Sequence, residues 1–417
     1  MRVGPFKLAV FGCLMCLLLV SGCIQETARV GLPPGVPVVR VRLLQDLRDI
    51  RISASEPALV RAGSDMAAQP VNFPRSPGAV VILQGGVWKA GGINLGTGEL
   101  IIQPGREGTV LVNGLQYRGR FRLVPVSTAS FDLVNDVDVD GYLRGVLAGE
   151  LYKSWNTQTY RAQAIVARTY ALYETRTIGA KRYWDVFPDT RSQVYGGISA
   201  ETSKSRDAVE ATAGIVLAYG LPGQERIFKA YFSSCCGGIS QSAYDAFGDL
   251  YSQPLSEQVR GSQCGASTKF NWGPVAIRKD ELTRRLHLWA RIKSEVTGRR
   301  RPELQMGTVV RIDGAFANKL GRPISFYVTD DRGLRYTMRA EELRTAINTD
   351  AKNGQVVYSS YFRTVDEPDQ VRFVDGHGYG HGVGMCQWCA QRMAETGMPH
   401  EDIVLKSYPG AKLIRAY

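Results

Sequence analysis

The sequence predicts an α+β fold, with a β-rich N-terminal subdomain packed on a mixed α/β core that carries a pair of helices. Three observations lead there. From residue 38 to about 135 the chain is a succession of short β-type runs broken by Gly, Pro and Asn. At Asp140 the apolar pattern changes to the helical period. Beyond 180, strand-like segments alternate with helical ones, and no repeat or low-complexity stretch interrupts them.

The first segment is set apart from the fold. Arg2 and Lys7 precede the apolar run FGCLMCLLLV, and Val20-Ser21-Gly22-Cys23 resembles a bacterial lipobox. The run is short for a bilayer span. The expectation is a signal peptide over 1–22 and a lipid on Cys23. The protein would then be held outside the cytoplasm at a membrane by that lipid. Residues 23–37 read as a linker, 38–135 as the β-rich subdomain and 136–417 as the core.

The β-type runs are VVRVRLL (38–44), AVVILQ (79–84), ELIIQP (99–104), TVLVNG (109–114) and RFRLVPV (120–126), and FDLVNDVDV (131–139) leads into the core. Asp140 is the expected N-cap of the first helix. Leu143, Val146 and Leu147 give its buried stripe, and position i+7 of that stripe is Glu150. A second helix begins near Asn156 or Thr157, with Ala162, Val166, Thr169, Tyr170 and Tyr173 inward. AGIVLAYG (213–220) and RIFKAYFSS (226–234) read as a strand pair, 278–294 as a basic helix, and 324–347 as a hairpin followed by a helix. A β-rich run covers 356–367, and 385–397 and 400–415 supply the last helices and strand.

The formal charge is +12. In an extracytoplasmic protein with no basic-aromatic motif, that balance suits anionic wall polymers and lipid head groups rather than nucleic acid. Besides Cys23, the cysteines of the mature chain are Cys235, Cys236, Cys264, Cys386 and Cys389. Disulfides are the default outside the cytoplasm, but five thiols cannot all pair, and the adjacent Cys235 and Cys236 are poorly disposed to pair with each other.

Two features could carry chemistry. A carboxylate on an apolar stripe is either paired or raised in pKa, and a raised carboxyl is what a general acid acting on a glycosidic oxygen requires. The alternative for Glu150 is a residue that ends the helix and bends into solvent. In GHGYGHGVGMCQWCA (376–390), every even position from Gly376 to Gly384 is glycine. One side of an extended segment is thereby stripped of side chains, so that a substrate or another backbone can approach.

The stretch YLRGVLAGELYKSWNTQTYRAQAIVARTYAL closely resembles the core motif of the SpoIID/LytB family (stage II sporulation protein D), YLxGVxxxEM…W…EALKAQAVAARTYAL. DTRSQVYGG (189–197), AVEATAGIVLAYG (208–220), AYFSSCCGGISQSAYDAFG (230–248), GHGVGMCQWCA (380–390) and SYPGAKL (407–413) resemble further motifs of that family, in order. The resemblance implies a peptidoglycan lytic transglycosylase that acts on glycan strands freed of stem peptides, with Glu150 as its single catalytic carboxyl. Asp136, Asp138 and Asp140 are then cap and turn residues.

By the same resemblance, Arg168, Tyr170, Gln193, Tyr195, His381 and Gln387 are candidate substrate contacts, with packing around the helix pair the equal alternative for Arg168, Tyr170, Gln193 and Tyr195, and the glycine segment is expected to lie beside the catalytic centre as a substrate track. No cofactor is required for the chemistry. Family members can carry a structural zinc near this region, but Ser233 stands where the usual histidine would be. Cys235, Cys236, Cys264, Cys386 and Cys389, with His381, could supply a zinc site. A Cys236–Cys264 disulfide with a second bridge is the rival. Cys386-x-x-Cys389 also has a thioredoxin-like spacing, without the βαβ context of that fold. Two other functions stay open: a lipoprotein that binds denuded glycan and recruits or enhances wall hydrolases or amidases, and a thiol or zinc enzyme centred on Cys386 and Cys389.

Overall fold

The computed structural model describes residues 35–63, 67–177, 179–256, 263–352 and 354–417. The expected signal peptide and Cys23 lie outside the described residues, as does most of the expected linker. The fold is α+β. No helix among the described residues is long and apolar enough to cross a membrane.

Twelve strands run up to residue 138: β1 Val38–Leu47, β2 Asp49–Ala54, β3 Ala58–Ala62, β4 Gln69–Val71, β5 Ala79–Gln84, β6 Val87–Ala90, β7 Ile93–Thr97, β8 Leu100–Gln103, β9 Val110–Val112, β10 Leu115–Tyr117, β11 Arg120–Pro125 and β12 Phe131–Asp138. They form two six-stranded sheets, ordered β1-β12-β11-β8-β3-β4 and β10-β9-β2-β5-β6-β7. Both sheets contribute to one apolar core, where Trp88 of β6 meets Phe131 of β12 edge to face, ring centroids 4.9 Å apart. The run over 109–114 forms β9 and the turn that leads into its hairpin partner β10. Asn113 and Gly114 both have positive φ, as a tight two-residue turn requires.

Strand β12 is buried along almost its whole length. One side carries Phe131, Leu133, Asn135 and Val137 and the other Asp132, Val134 and Asp136, and the polar groups among them are paired. Asp136 binds Arg120 at 2.6 Å and Arg122 at 3.0 Å, Asp132 binds Arg42 at 2.5 Å, and Asn135 accepts from the Tyr195 hydroxyl at 3.1 Å. Buried carboxylates survive because each has a cationic partner.

The chain passes from β12 directly into helix α1, Val139–Glu150. Its N-cap is Asp138, not Asp140: Asp138 Oδ1 accepts from the Gly141 amide at 2.7 Å. Asp140 stands in the first turn and pairs with Arg168 at 3.0 Å. Helix α2, Thr157–Arg176, is capped by Asn156 and buried nearly all round, so it forms the axis of the core. Around it lie α3 (Ser203–Ala211), the strand Ile215–Tyr219, and two C-terminal helices described below. The sheet Arg226–Ile227, Ile215–Tyr219 and Lys412–Arg415 ties the C-terminus to this centre.

After the short helix α4 (Ala243–Phe247), residues 275–374 build a lobe with its own apolar core. It contains α5 (Lys279–Thr297), α6 (Ala340–Asn348) and two three-stranded sheets. The chain then returns through residues 376–386 to α7 (Gln387–Glu395) and α8 (His400–Ser407), which pack on α2. On that return, Phe232–Ser233 and Met385–Cys386 pair as parallel strands.

Candidate active site

Glu150 is the last residue of α1, and its carboxyl stands where α1, α2, α7 and the 193–197 segment converge. Its Oε1 accepts from the Val194 amide at 2.9 Å, and its Oε2 faces Gln387 Nε2 at 3.4 Å. Gln387 also lies 3.5 Å from Gln163 Oε1 on α2. The 193–197 segment can come this close because Gly145 and Gly149 occupy the facing side of α1. A Cβ on Gly145 would fall 2.7 Å from the Gly197 carbonyl oxygen. Burial raises the Glu150 pKa above the ordinary glutamate value, while the Val194 amide and the Gln387 side chain draw it partly back. No Asp or Glu stands among the groups that shift it.

Three aromatic rings cluster on the segments that follow Glu150 and Gln387, Tyr152 standing two residues after the first and Trp388 one residue after the second. Tyr152 lies 5.2 Å from Trp155 and 5.8 Å from Trp388, and Trp155 meets Trp388 at 5.1 Å, centroid to centroid. Trp155 is buried, and Tyr152 is 59% exposed. Sequence alone missed this cluster, because Tyr152 and Trp388 become neighbours only when α7 docks. It also missed Gln163 and the Val194 amide.

Of the expected substrate contacts, Gln387 reaches Glu150. Others are committed to the interior. Arg168 is fully buried, and its guanidinium donates to Asp140, the Tyr417 hydroxyl, Thr212, and the carbonyls of Val209 and Ile215. It has no donor left for a ligand, so the expected sugar contact is corrected to a structural clamp. Gln193 is fully buried and accepts from Tyr142, while Tyr195 packs between Tyr142 and Tyr117 with its hydroxyl on Asn135. Tyr170 is buried against Tyr231 and Phe232. These three also pack rather than line a groove.

His381 lies edge-on to Tyr231 and Phe247, and its Nδ1 accepts from the Val383 amide at 3.0 Å. Burial lowers its pKa to about 4, so it is neutral at ordinary pH.

The glycine segment is not an open track. A Cβ on Gly376 would meet the Trp272 ring at 2.2 Å, on Gly378 the Cys235 carbonyl at 2.5 Å, and on Gly384 the Tyr231 carbonyl at 2.1 Å. Gly380 and Gly382 are likewise closed off by Ser233 and Arg322. The alternating glycines face protein, and it is the chain's own 231–237 segment that approaches them. The expectation of a substrate track is therefore corrected.

The cysteines divide four to one. The sulfurs of Cys236, Cys264, Cys386 and Cys389 all lie within 4.8 Å of one another. Cys235 lies beside this group without joining it, its sulfur 3.9 Å from the Cys264 carbonyl. Cys235 and His381 therefore drop out of the expected ligand set. The Cys236 and Cys264 sulfurs are 3.6 Å apart, well beyond a disulfide bond of about 2.05 Å. Four thiolates around a tetrahedral zinc, with Zn–S bonds of about 2.3 Å, sit about 3.8 Å apart. The donor set and its spacing thus fit zinc.

Residues 127–219, which contain β12, α1, Glu150, α2 and the Val194 segment, match the family model described as SpoIID, stage II sporulation protein. This match, with the relatives below, supports assignment to the SpoIID family. The chain is 28% identical over 306 residues to an uncharacterised protein of Brachyspira hyodysenteriae, covering 73% of each chain. It is 24% identical to the stage II sporulation protein D of Bacillus subtilis, over 70% of this chain and 79% of that one. It is 25% identical to the amidase enhancer of the same organism, where the aligned part is 65% of this chain and 40% of the relative.

Proposed function

We propose that this protein is a cell-wall lytic transglycosylase that cleaves the MurNAc–GlcNAc β-1,4 bond of peptide-free glycan strands. The observation that carries the reading is the Glu150 carboxyl, raised in pKa by burial and held by the Val194 amide and Gln387, with the Tyr152, Trp155 and Trp388 rings clustered on the segments that follow Glu150 and Gln387. The exposed aromatic surface offers an apolar face to a sugar ring.

In this reading Glu150 gives its proton to the glycosidic oxygen as the C1–O bond breaks. The resulting carboxylate then takes the proton of the MurNAc C6 hydroxyl, whose oxygen bonds to C1. Glu150 regains its proton, no water is consumed, and the product ends in 1,6-anhydroMurNAc. The nucleophile belongs to the substrate, so the second carboxylate that a glycosidase needs is not required.

A lipid on Cys23 would hold the enzyme at a membrane outside the cytoplasm, facing the wall. The amidase-enhancer relative supports a second reading, in which the same site binds denuded glycan without cutting and assists another wall hydrolase. Digestion of purified glycan strands, with and without stem peptides, by the wild type and by Glu150→Gln separates the two. Anhydro-ended fragments made by the wild type alone support the transglycosylase. Hydrated ends would make it a hydrolase, and binding without products would leave the enhancer reading.

A further inference from the structure

We propose that Cys236, Cys264, Cys386 and Cys389 bind one zinc ion as four thiolates, and that this ion fixes the start of α7 so that Gln387 stays against Glu150. The second half rests on the reading of Glu150 given above; the first does not.

The ligands come from three separate parts of the chain. Cys236 follows the strand Phe232–Ser233, Cys264 lies in the connection to the 275–374 lobe, and Cys386 and Cys389 begin α7. Three of the four are buried and the fourth is partly buried, so little water competes for an ion there. Elements of the fold favour thiolates at this point. The Cys236 amide points at the Cys386 sulfur at 3.4 Å, and Cys386 is the N-cap of α7, where the positive end of the helix dipole favours negative charge. The fully buried guanidinium of Arg322 donates to the Cys236 and Ile239 carbonyls at 2.9 and 2.6 Å, which sets a positive charge beside a site whose four thiolates and zinc sum to −2.

The link to Glu150 follows from adjacency. Gln387 and Trp388 are the two residues between the ligands Cys386 and Cys389. Gln387 reaches Glu150 and Gln163, and Trp388 packs on Trp155 and Tyr152. An ion that grips both ends of this turn limits the freedom of the two side chains inside it. The ion itself takes no part in bond cleavage.

The test uses the purified full chain and zinc alone, and is read without glycan. Metal analysis should find one zinc per chain. Native alkylation followed by mass spectrometry should leave Cys236, Cys264, Cys386 and Cys389 unmodified, and a chelator should expose all four together. Cys235→Ser should keep its zinc and Cys264→Ser should lose it. Chelation should shift the tryptophan emission of the wild type and not that of Trp388→Phe. Wild-type protein without zinc and with disulfides at these cysteines overturns the site, using no variant that could misfold. Retention of zinc by Cys264→Ser overturns the ligand set. Zinc loss that leaves Trp388 emission unchanged overturns the coupling. None of these outcomes depends on whether Glu150 cleaves glycan.

Discussion

The Gln387 side chain meets the Glu150 carboxyl at 3.4 Å across 237 residues of sequence. This contact joins the end of α1 to the start of α7 and helps to set the proton affinity of Glu150. Replacing Gln387 by Leu removes a donor that favours the carboxylate. The Glu150 pKa should then rise further, and the alkaline limb of the cleavage profile should move to higher pH. An unmoved limb would show that this contact does not tune the acid.

Glu150 titrates above its ordinary value because the fold disfavours its charge. The folded state therefore holds the proton where the unfolded chain has lost it. Stability should fall as pH rises from the usual glutamate pKa through the raised one, and level off above it. Denaturation of the wild type and of Glu150→Gln across that window should show the slope in the wild type alone.

Tyr152 is 59% exposed and supports little of the core. In the proposed reading its ring receives a sugar. Tyr152→Ala should raise KM for glycan by about 5- to 100-fold, as loss of roughly 1–3 kcal/mol of stacking would do, with Tm almost unchanged. Equal losses of stability and affinity would mark it as structural instead.

Arg168 belongs to stability rather than to substrate. Arg168→Ala leaves Asp140 without its buried cation and strands several carbonyls. It should cost about 3–5 kcal/mol in chemical denaturation, and protein that remains folded should keep its KM.

Gly384 has φ of +67°, and a side chain there would meet the Tyr231 carbonyl. Gly384→Ala should lower Tm sharply or prevent folding. A stable variant with weakened glycan binding would restore the idea of a substrate track.

Glu150 was legible because helix periodicity places it on a stripe with Leu143, Val146 and Leu147 whatever the rest of the chain does. For Arg168, Gln193 and Tyr195 the sequence leaves sugar contact and packing equally open, for the opposite reason. Their partners are Asp140 and Tyr417, Tyr142, and Asn135, and no local pattern announces such pairings. The alternating glycines are ambiguous in the same way, since a pattern without side chains looks alike whether a ligand or the chain itself lies against it. Several strands before residue 131 escaped because they span three to six residues, too few for a period to emerge.

The order of the chain has a consequence in time. A nascent polypeptide ending at Gly384 already contains Glu150, Val194, Trp155 and the whole 275–374 lobe, yet lacks Gln387 and Trp388. It also lacks α7 and α8, which cover α2. Synthesis or translocation halted there would deliver the acid without its neighbours and leave the apolar side of α2 open to water. The candidate site can therefore be completed only once residues 385–407 have emerged.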